Sequence, residues 1–238
     1  MAVREIDISS GSPAPIRRGA LARLLSCALL AGVAAACAPT RFETTSDVPP
    51  PLIDKIPITI GVHLPLEFRE KVYEETRPGG AKYRIGLGKA QSAGFMRILN
   101  AMFAKVVEVN SPADAAATNP EIRGVLEPVL EDYAFITPAD SGTPTYAASL
   151  RYTIHLYTPK GELSESWSFT GYGTQPTSSM PGTGDEALQA ATRLAMRDAA
   201  AKLAAEFREQ AIARGLVSPG AGAAPAEVPP PPPPPPET

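Results

Sequence analysis

Tyr146–Gly173 reads YAASLRYTIHLYTPKGELSESWSFTGYG, and its reading decides the fold. From Tyr146 to Tyr157 apolar and polar residues alternate. Leu150, Tyr152, Ile154 and Leu156 fall on one face, and Arg151, Thr153, His155 and Tyr157 on the other. A period of two belongs to a strand with one buried face. Thr158-Pro159-Lys160-Gly161 places proline and glycine where a tight reversal needs them. Glu162–Gly173 then returns, carrying Leu163, Glu165, Trp167 and Phe169 at every second position and glycine at its end. The stretch is an antiparallel hairpin.

Toward the C-terminus, Thr174–Gly182 is a loop of Pro, Thr, Ser and Gly. Thr183-Gly184-Asp185-Glu186 has the form of a capping box, in which side chains satisfy the exposed amides of a helix start. Asp185 and Glu186 also suit the positive end of the helix dipole. The helix is expected to run to about Ala213, with Leu188, Ala191, Leu194, Ala195, Ala199, Leu203 and Phe207 as its buried stripe. Its many alanines allow close approach of helix to sheet. Gly215 is the expected stop.

Toward the N-terminus, Ile122–Thr137 is a third long strand, and Pro128 inside it points to an edge or a bulge. Asn110–Pro120 reads as a loop, Lys105–Val109 as a strand and Ala90–Phe103 as a helix. Phe95, Ile98, Leu99, Met102 and Phe103 make one stripe of that helix, to be packed on the sheet. Ile58–Leu64 is a first strand, Arg77–Gly80 a turn, and Tyr83–Gly88 a short second strand or an extended approach to the helix. The pattern predicts an α+β fold over residues 57–216: a single domain with a mixed, mostly antiparallel sheet and two helices packed on one face.

The ends have a different composition. Arg17, Arg18 and Arg23 precede an apolar run, Leu24–Ala36, of about 13 residues, short of the roughly 20 that span a bilayer. Residues 1–36 read as a signal peptide. Cys37 directly after Ala34-Ala35-Ala36 resembles the lipobox of bacterial lipoproteins, which implies cleavage before Cys37 and acylation of its thiol and new amino end. Leu24-Leu25-Ser26-Cys27 fits the consensus better letter by letter, but little apolar chain precedes it. Residues 37–56, with Pro49, Pro50 and Pro51, read as the lipidated Cys and a Pro-rich tether. Ala38 stands where an Asp usually retains enteric lipoproteins in the inner membrane, so the resemblance implies the periplasmic face of the outer membrane. Residues 217–238, with consecutive prolines from Pro229 to Pro236, are expected to be a disordered tail, either a stiff spacer or groove ligand or a segment with no partner.

A net charge of −3 without basic runs argues against nucleic acid. Of two cysteines, Cys27 leaves with the signal and Cys37 is acylated, so the mature domain keeps no thiol for a disulfide or a thiolate metal site. His63 and His155 are the only histidines, and no G-x-S-x-G elbow accompanies them. Glu127, Glu131 and Asp132 form the densest acid group, with Glu127 and Glu131 at like strand parity. Gly86-Leu87-Gly88-Lys89 lacks the full phosphate-loop pattern and reads as a turn opening the helix. No catalytic, cofactor-binding or metal residue is assigned; Cys37 is the one site residue.

SESWSFTGYGT, a small-residue loop and then DEALQAATRLAMRDAAAKLAAEF resemble small proteobacterial envelope lipoproteins, among them the YajG type and the periplasmic domain of curli-secretion lipoproteins. GFMRILNAMFAKVVEV, from Gly94 to Val109, is similar to theirs too. The resemblance implies a non-enzymatic accessory or assembly module of the envelope, with a protein partner or self-association, a membrane anchor through Cys37 and no cofactor. The alternative is an accessory for lipid or lipopolysaccharide transport. It would need an apolar groove between sheet and helices, lined by residues such as Phe95, Phe103, Trp167 and Phe207.

Overall fold

The computed structural model describes residues 40–45, 48–51, 54–179 and 184–213. The signal peptide, Cys37, the tail, Thr183 of the capping box and Gly215 lie outside them. In order, the chain forms β1 (Thr40–Glu43), β2 (Ile56–Val62), α1 (Leu66–Arg69), β3 (Val72–Thr76), β4 (Lys82–Gly86), α2 (Gly88–Met102) and β5 (Phe103–Glu108). There follow α3 (Ala115–Thr118), β6 (Ile122–Ile136), α4 (Pro138–Ser141), β7 (Thr145–Tyr157), β8 (Leu163–Pro176) and α5 (Gly184–Ala213).

The hairpin forms as its alternation requires, with β7 and β8 paired antiparallel from Thr145↔Pro176 to Tyr157↔Leu163. It is one side of a five-stranded sheet ordered β5-β2-β6-β7-β8. A second sheet, β1-β4-β3, has three strands. The expectation of one mostly antiparallel sheet is therefore corrected. There are two sheets, and β1–β4, β2–β5 and β2–β6 pair parallel while β3–β4, β6–β7 and β7–β8 pair antiparallel. The cause is the crossover. After β2 the chain builds β3 and β4 and returns along α2, so β5 starts beside the start of β2, with Ile56 opposite Phe103. Periodicity within a strand is blind to that path.

Pro128 lies on β6, which is the middle strand of its sheet and not an edge. The chain nevertheless obeys proline's limits. His63 N–H donates to the Leu126 carbonyl at 2.9 Å where β2 ends, so two residues on, the Pro128 nitrogen faces the side that β2 has left. A bulge follows between Leu130 and Asp132. It leaves Glu131 without a cross-strand partner and puts Asp132 on the outer face beside it, so Glu127 and Glu131 keep the parity expected of them and the alternation shifts only after Glu131.

The two long helices, α2 and α5, share the inner face of the five-stranded sheet. Ile98, Leu99 and Met102 of α2 meet Leu188, Ala191, Ala195, Leu203 and Phe207 of α5 and Leu126, Leu150 and Ile154 of the strands in one core. Leu194, expected in the stripe, is 37% exposed; Thr192 and Met196 are buried instead. Contact of α5 with β8 is close because both surfaces are small. A Cβ on Gly171 would collide with the Ala195 carbonyl and lie 2.6 Å from the Ala199 Cβ. One on Gly173 would meet the Ala191 carbonyl. The alanine-rich helix and the glycine-ending strand are thus two halves of one contact.

The segment read as a tether enters the fold. Thr40–Glu43 is a strand paired in register with Tyr83–Gly86. Gln189 of α5 donates to the Glu43 carbonyl at 2.7 Å, and Arg97 of α2 to the Val48 carbonyl at 3.1 Å. Val48 is 5% exposed. Phe42 and Val48 supply the apolar burial that a flexible linker lacks.

Candidate functional site

Two places in the fold gather side chains of possible use: the groove between α2 and α5, and the opposite face of the five-stranded sheet. The groove is apolar. Phe68, Phe95, Ile98, Tyr152, Phe169, Met196 and Leu203 line it, and Val48 lies in it as well. Its cavity is about 40 Å³, room for a water-sized guest. Gln91 supplies the polar element, donating to the Phe68 carbonyl at 2.6 Å and accepting from the Tyr152 hydroxyl at 3.3 Å. Burial pushes the Tyr152 phenol far above its ordinary range.

Of the four aromatics expected to line such a groove, Phe95 does so. Phe103, Trp167 and Phe207 pack on one another instead, with ring centroids 5.1 Å apart for Phe103–Phe207 and 5.8 Å for Trp167–Phe207. They fill core volume. Helical and strand periodicity places a side chain on a face, but the distance between facing elements decides whether it lines space or fills it.

The outer sheet face carries both histidines. His63 Nδ1 lies 3.2 Å from the Val109 carbonyl, a contact that puts the proton on Nδ1. Its Nε2 is 3.7 Å from Glu127, which also accepts from the Tyr157 hydroxyl at 3.2 Å. His155 stands directly across the ladder from Glu127, and its Nδ1 is 2.6 Å from Ser166 Oγ. Thr153 and Ser168 continue the polar rows at 2.7 Å. Glu127, separate from the histidines in sequence, thus stands between them, beside His63 and at the register position opposite His155. Parallel pairing past β2 creates that meeting, and nothing in the local pattern signals it. The row is held on a flat ladder whose backbone N–H groups are engaged in strand pairing. Among the described residues no group of three or more His, Cys, Asp or Glu is placed to hold a metal ion.

Further along the same face, Asp132 stands opposite Arg151, and Ile136 and Tyr172 are 49% and 63% exposed. At its free edge, β8 is met by α5. Asp198 accepts from the Tyr172 N–H at 2.9 Å, and Lys202 donates to the Thr170 carbonyl at 2.6 Å. The pair closes on itself at 2.8 Å. Lys202 falls outside the apolar stripe of α5. The four-residue Asp–Lys spacing was the available signal, and it names an ion pair without naming the strand edge that the pair covers.

At the other sheet, Arg77 lies over Phe135 at 4.1 Å and donates to the Phe135 carbonyl at 2.8 Å. It also pairs with Glu75 and Asp140. This clamp fixes the end of β3 to α4 and β6. Cys37, the one residue assigned a chemical role from sequence, lies outside the described residues. No helix among the described residues is long and apolar enough to cross a membrane.

No family model and no curated protein matches the chain. Among solved structures it is similar to a Xanthomonas campestris protein of family DUF330, at 14% identity and a TM-score of 0.47, covering 73% of this chain and 99% of that one. It is also similar to a minor lipoprotein from Acinetobacter baumannii, at 10% identity and a TM-score of 0.41, covering 66% and 95%. A Caulobacter crescentus protein assigned as a lipoprotein follows at 13% identity and a TM-score of 0.31, covering 42% and 78%.

Proposed function

We propose that the chain is an envelope lipoprotein, acylated at Cys37 and held on the periplasmic face of the outer membrane. Its domain acts as a non-enzymatic accessory or assembly module, through the part of the larger sheet's outer face that Ala115 of α3 and its neighbours leave open. That face carries the reading. Both long helices lie on the other side, leaving Ile136, Arg151, Ser168 and Tyr172 in solvent on β6, β7 and β8. Exposed tyrosine and arginine beside apolar surface are what protein interfaces concentrate. An acyl chain contributes about 0.8 kcal/mol per buried methylene, so two or three chains hold the domain firmly to lipid.

Acyl labelling of the wild type and of Cys37→Ala tests the anchor: label is expected on the first alone, and unchanged labelling of the variant removes it. A photo-crosslinking residue at Ser168 is expected to trap a protein in native envelopes, and one at Ala201 on the solvent side of α5 is not. The reverse pattern removes the sheet-face reading.

The apolar groove favours one second reading, an accessory for lipid or lipopolysaccharide transport. A cavity of about 40 Å³ is far below the roughly 300 Å³ at which ligand pockets begin, so an acyl chain enters only if Val48 leaves. Lipid recovered with a Val48→Asp domain, and absent from wild type, would support that reading; none with either would dismiss it.

A further inference from the structure

We propose that the small sheet β1-β4-β3 and the adjoining end of the molecule form a membrane-apposed surface, held against the lipid headgroups of the bilayer in which Cys37 is anchored. The inference rests on acylation of Cys37 and goes beyond it, since an acylated chain with a long linker would leave its domain free to turn.

Only Ala38 and Pro39 separate Cys37 from β1. Thr40 is already paired with Tyr83, and its hydroxyl donates to Asp185 at the start of α5 at 3.0 Å. Consecutive Cα atoms are 3.8 Å apart, so Cys37 lies within about 11 Å of Thr40 whatever path the chain takes between them. The fold therefore begins at the anchor, and a particular end of it is forced toward the bilayer. Thr40 shares a surface cleft there with Pro138 and Ala139 of α4 and with Tyr146 at the start of β7.

The exposed face of the small sheet has a slight basic excess, Arg41, Lys82 and Arg84 against Glu43 and Glu74. Arg41 stands beside Arg84 on the exposed face, and Lys82 lies two residues before Arg84. Glu74 pairs with Arg84. Arg41 and Lys82 have no carboxylate partner among the described residues; with Arg84, Glu74 and Glu75 they line an open cleft of about 690 Å³, where Glu74 is taken up by Arg84 and Glu75 by Arg77. Glu43, the one carboxylate of β1, sits at the opposite end of that strand beside Gly86. Unpaired cations within a Debye length of the surface are drawn to anionic headgroups. The other end of the molecule is remote: β7 runs 13 residues from Thr145, which carries the Thr158–Gly161 turn about 40 Å away.

The test uses the full, acylated chain in vesicles of phosphatidylethanolamine and phosphatidylglycerol that contain a headgroup-nitroxide lipid. Because the only other cysteine, Cys27, lies in the signal, Ala139→Cys and Lys160→Cys each take a single fluorophore. The expected result is loss of fluorescence at position 139 and none at 160. Equal quenching at both positions, on chains that carry acyl label and float with the vesicles, overturns the inference and leaves the anchor standing. Chains that neither take acyl label nor float overturn the Cys37 assignment and this inference with it. Inserting about ten Gly/Ser residues between Ala38 and Pro39, together with Arg41→Glu and Lys82→Glu, is expected to abolish the contrast. A contrast that survives both changes overturns the inference.

Discussion

Gly171 and Gly173 are where single atoms decide the packing of α5. At Gly171 a methyl group has no room between the strand and the Ala195 carbonyl, so Gly171→Ala must lift the helix or bend the strand. Overpacking of this kind costs about 1–3 kcal/mol, and a lowered midpoint in thermal unfolding is the expected outcome. Tyr133 makes the complementary case. Its hydroxyl lies 2.8 Å from Thr192, which also donates to the Leu188 carbonyl at 2.9 Å. Tyr133→Phe leaves Thr192 a partner, so the expected loss is about 1 kcal/mol, smaller than that of Gly171→Ala in the same unfolding experiment. The sequence shows both glycines and a strand of alternating parity. It cannot show that Ala191 and Ala195 are the atoms above them, because that depends on the angle at which helix crosses sheet.

At the scale of elements, the free edge of β8 and the strap through Val48 set the behaviour. An exposed strand edge is a template for pairing with another chain, and Asp198 and Lys202 occupy part of this one. Burial opposes ionisation of Asp198, but Lys202 and the Tyr172 N–H outweigh it and hold the carboxyl below its usual range. Its contribution is therefore present above the ordinary carboxylate pKa and is lost as pH falls through the depressed value. The double change Asp198→Ala, Lys202→Ala is expected to keep the fold but promote self-association, seen as larger species in light scattering at neutral pH. For the strap, Val48→Ala removes buried methyl groups worth about 1–2 kcal/mol. Hydrogen exchange of the β2 amides is expected to stay slow while that of Thr44, whose N–H donates to the Gly86 carbonyl ahead of the strap, accelerates. Faster exchange throughout β2 would show that the strap and the sheet open together. Neither element was legible in advance, since an Asp–Lys spacing and a run of prolines each describe a surface feature until a neighbouring element is placed beside it.

For the whole molecule, the phenols give a collective response to base. Burial, helped by the Glu75 carboxylate, pushes Tyr73 up to about 12. Burial likewise raises Tyr133, Tyr146, Tyr152 and Tyr157. Each folded-state value lies above the unfolded one, so the stability these groups contribute is complete below about pH 10 and is lost as pH rises toward and past 12. Unfolding followed by circular dichroism is expected to set in within that window, together with phenolate absorbance. In a Tyr83→Phe, Tyr172→Phe background, which leaves only these five phenols, phenolate appearing near pH 10 with the fold intact would contradict the burial of these rings.

The sequence by itself determined what is local and periodic. The hairpin from Tyr146 to Gly173, the two long helices and the inward row Leu150, Tyr152, Ile154 and Leu156 all follow from spacings of two or near four residues. Those spacings are written in adjacent side chains. Tertiary structure alone decided which strands pair in parallel, that β6 is central, that the supposed tether begins as β1, and that His63 and His155 flank one glutamate. Each of these joins residues brought together by a crossover or by packing, and side chains that share no local period carry no local trace of their meeting.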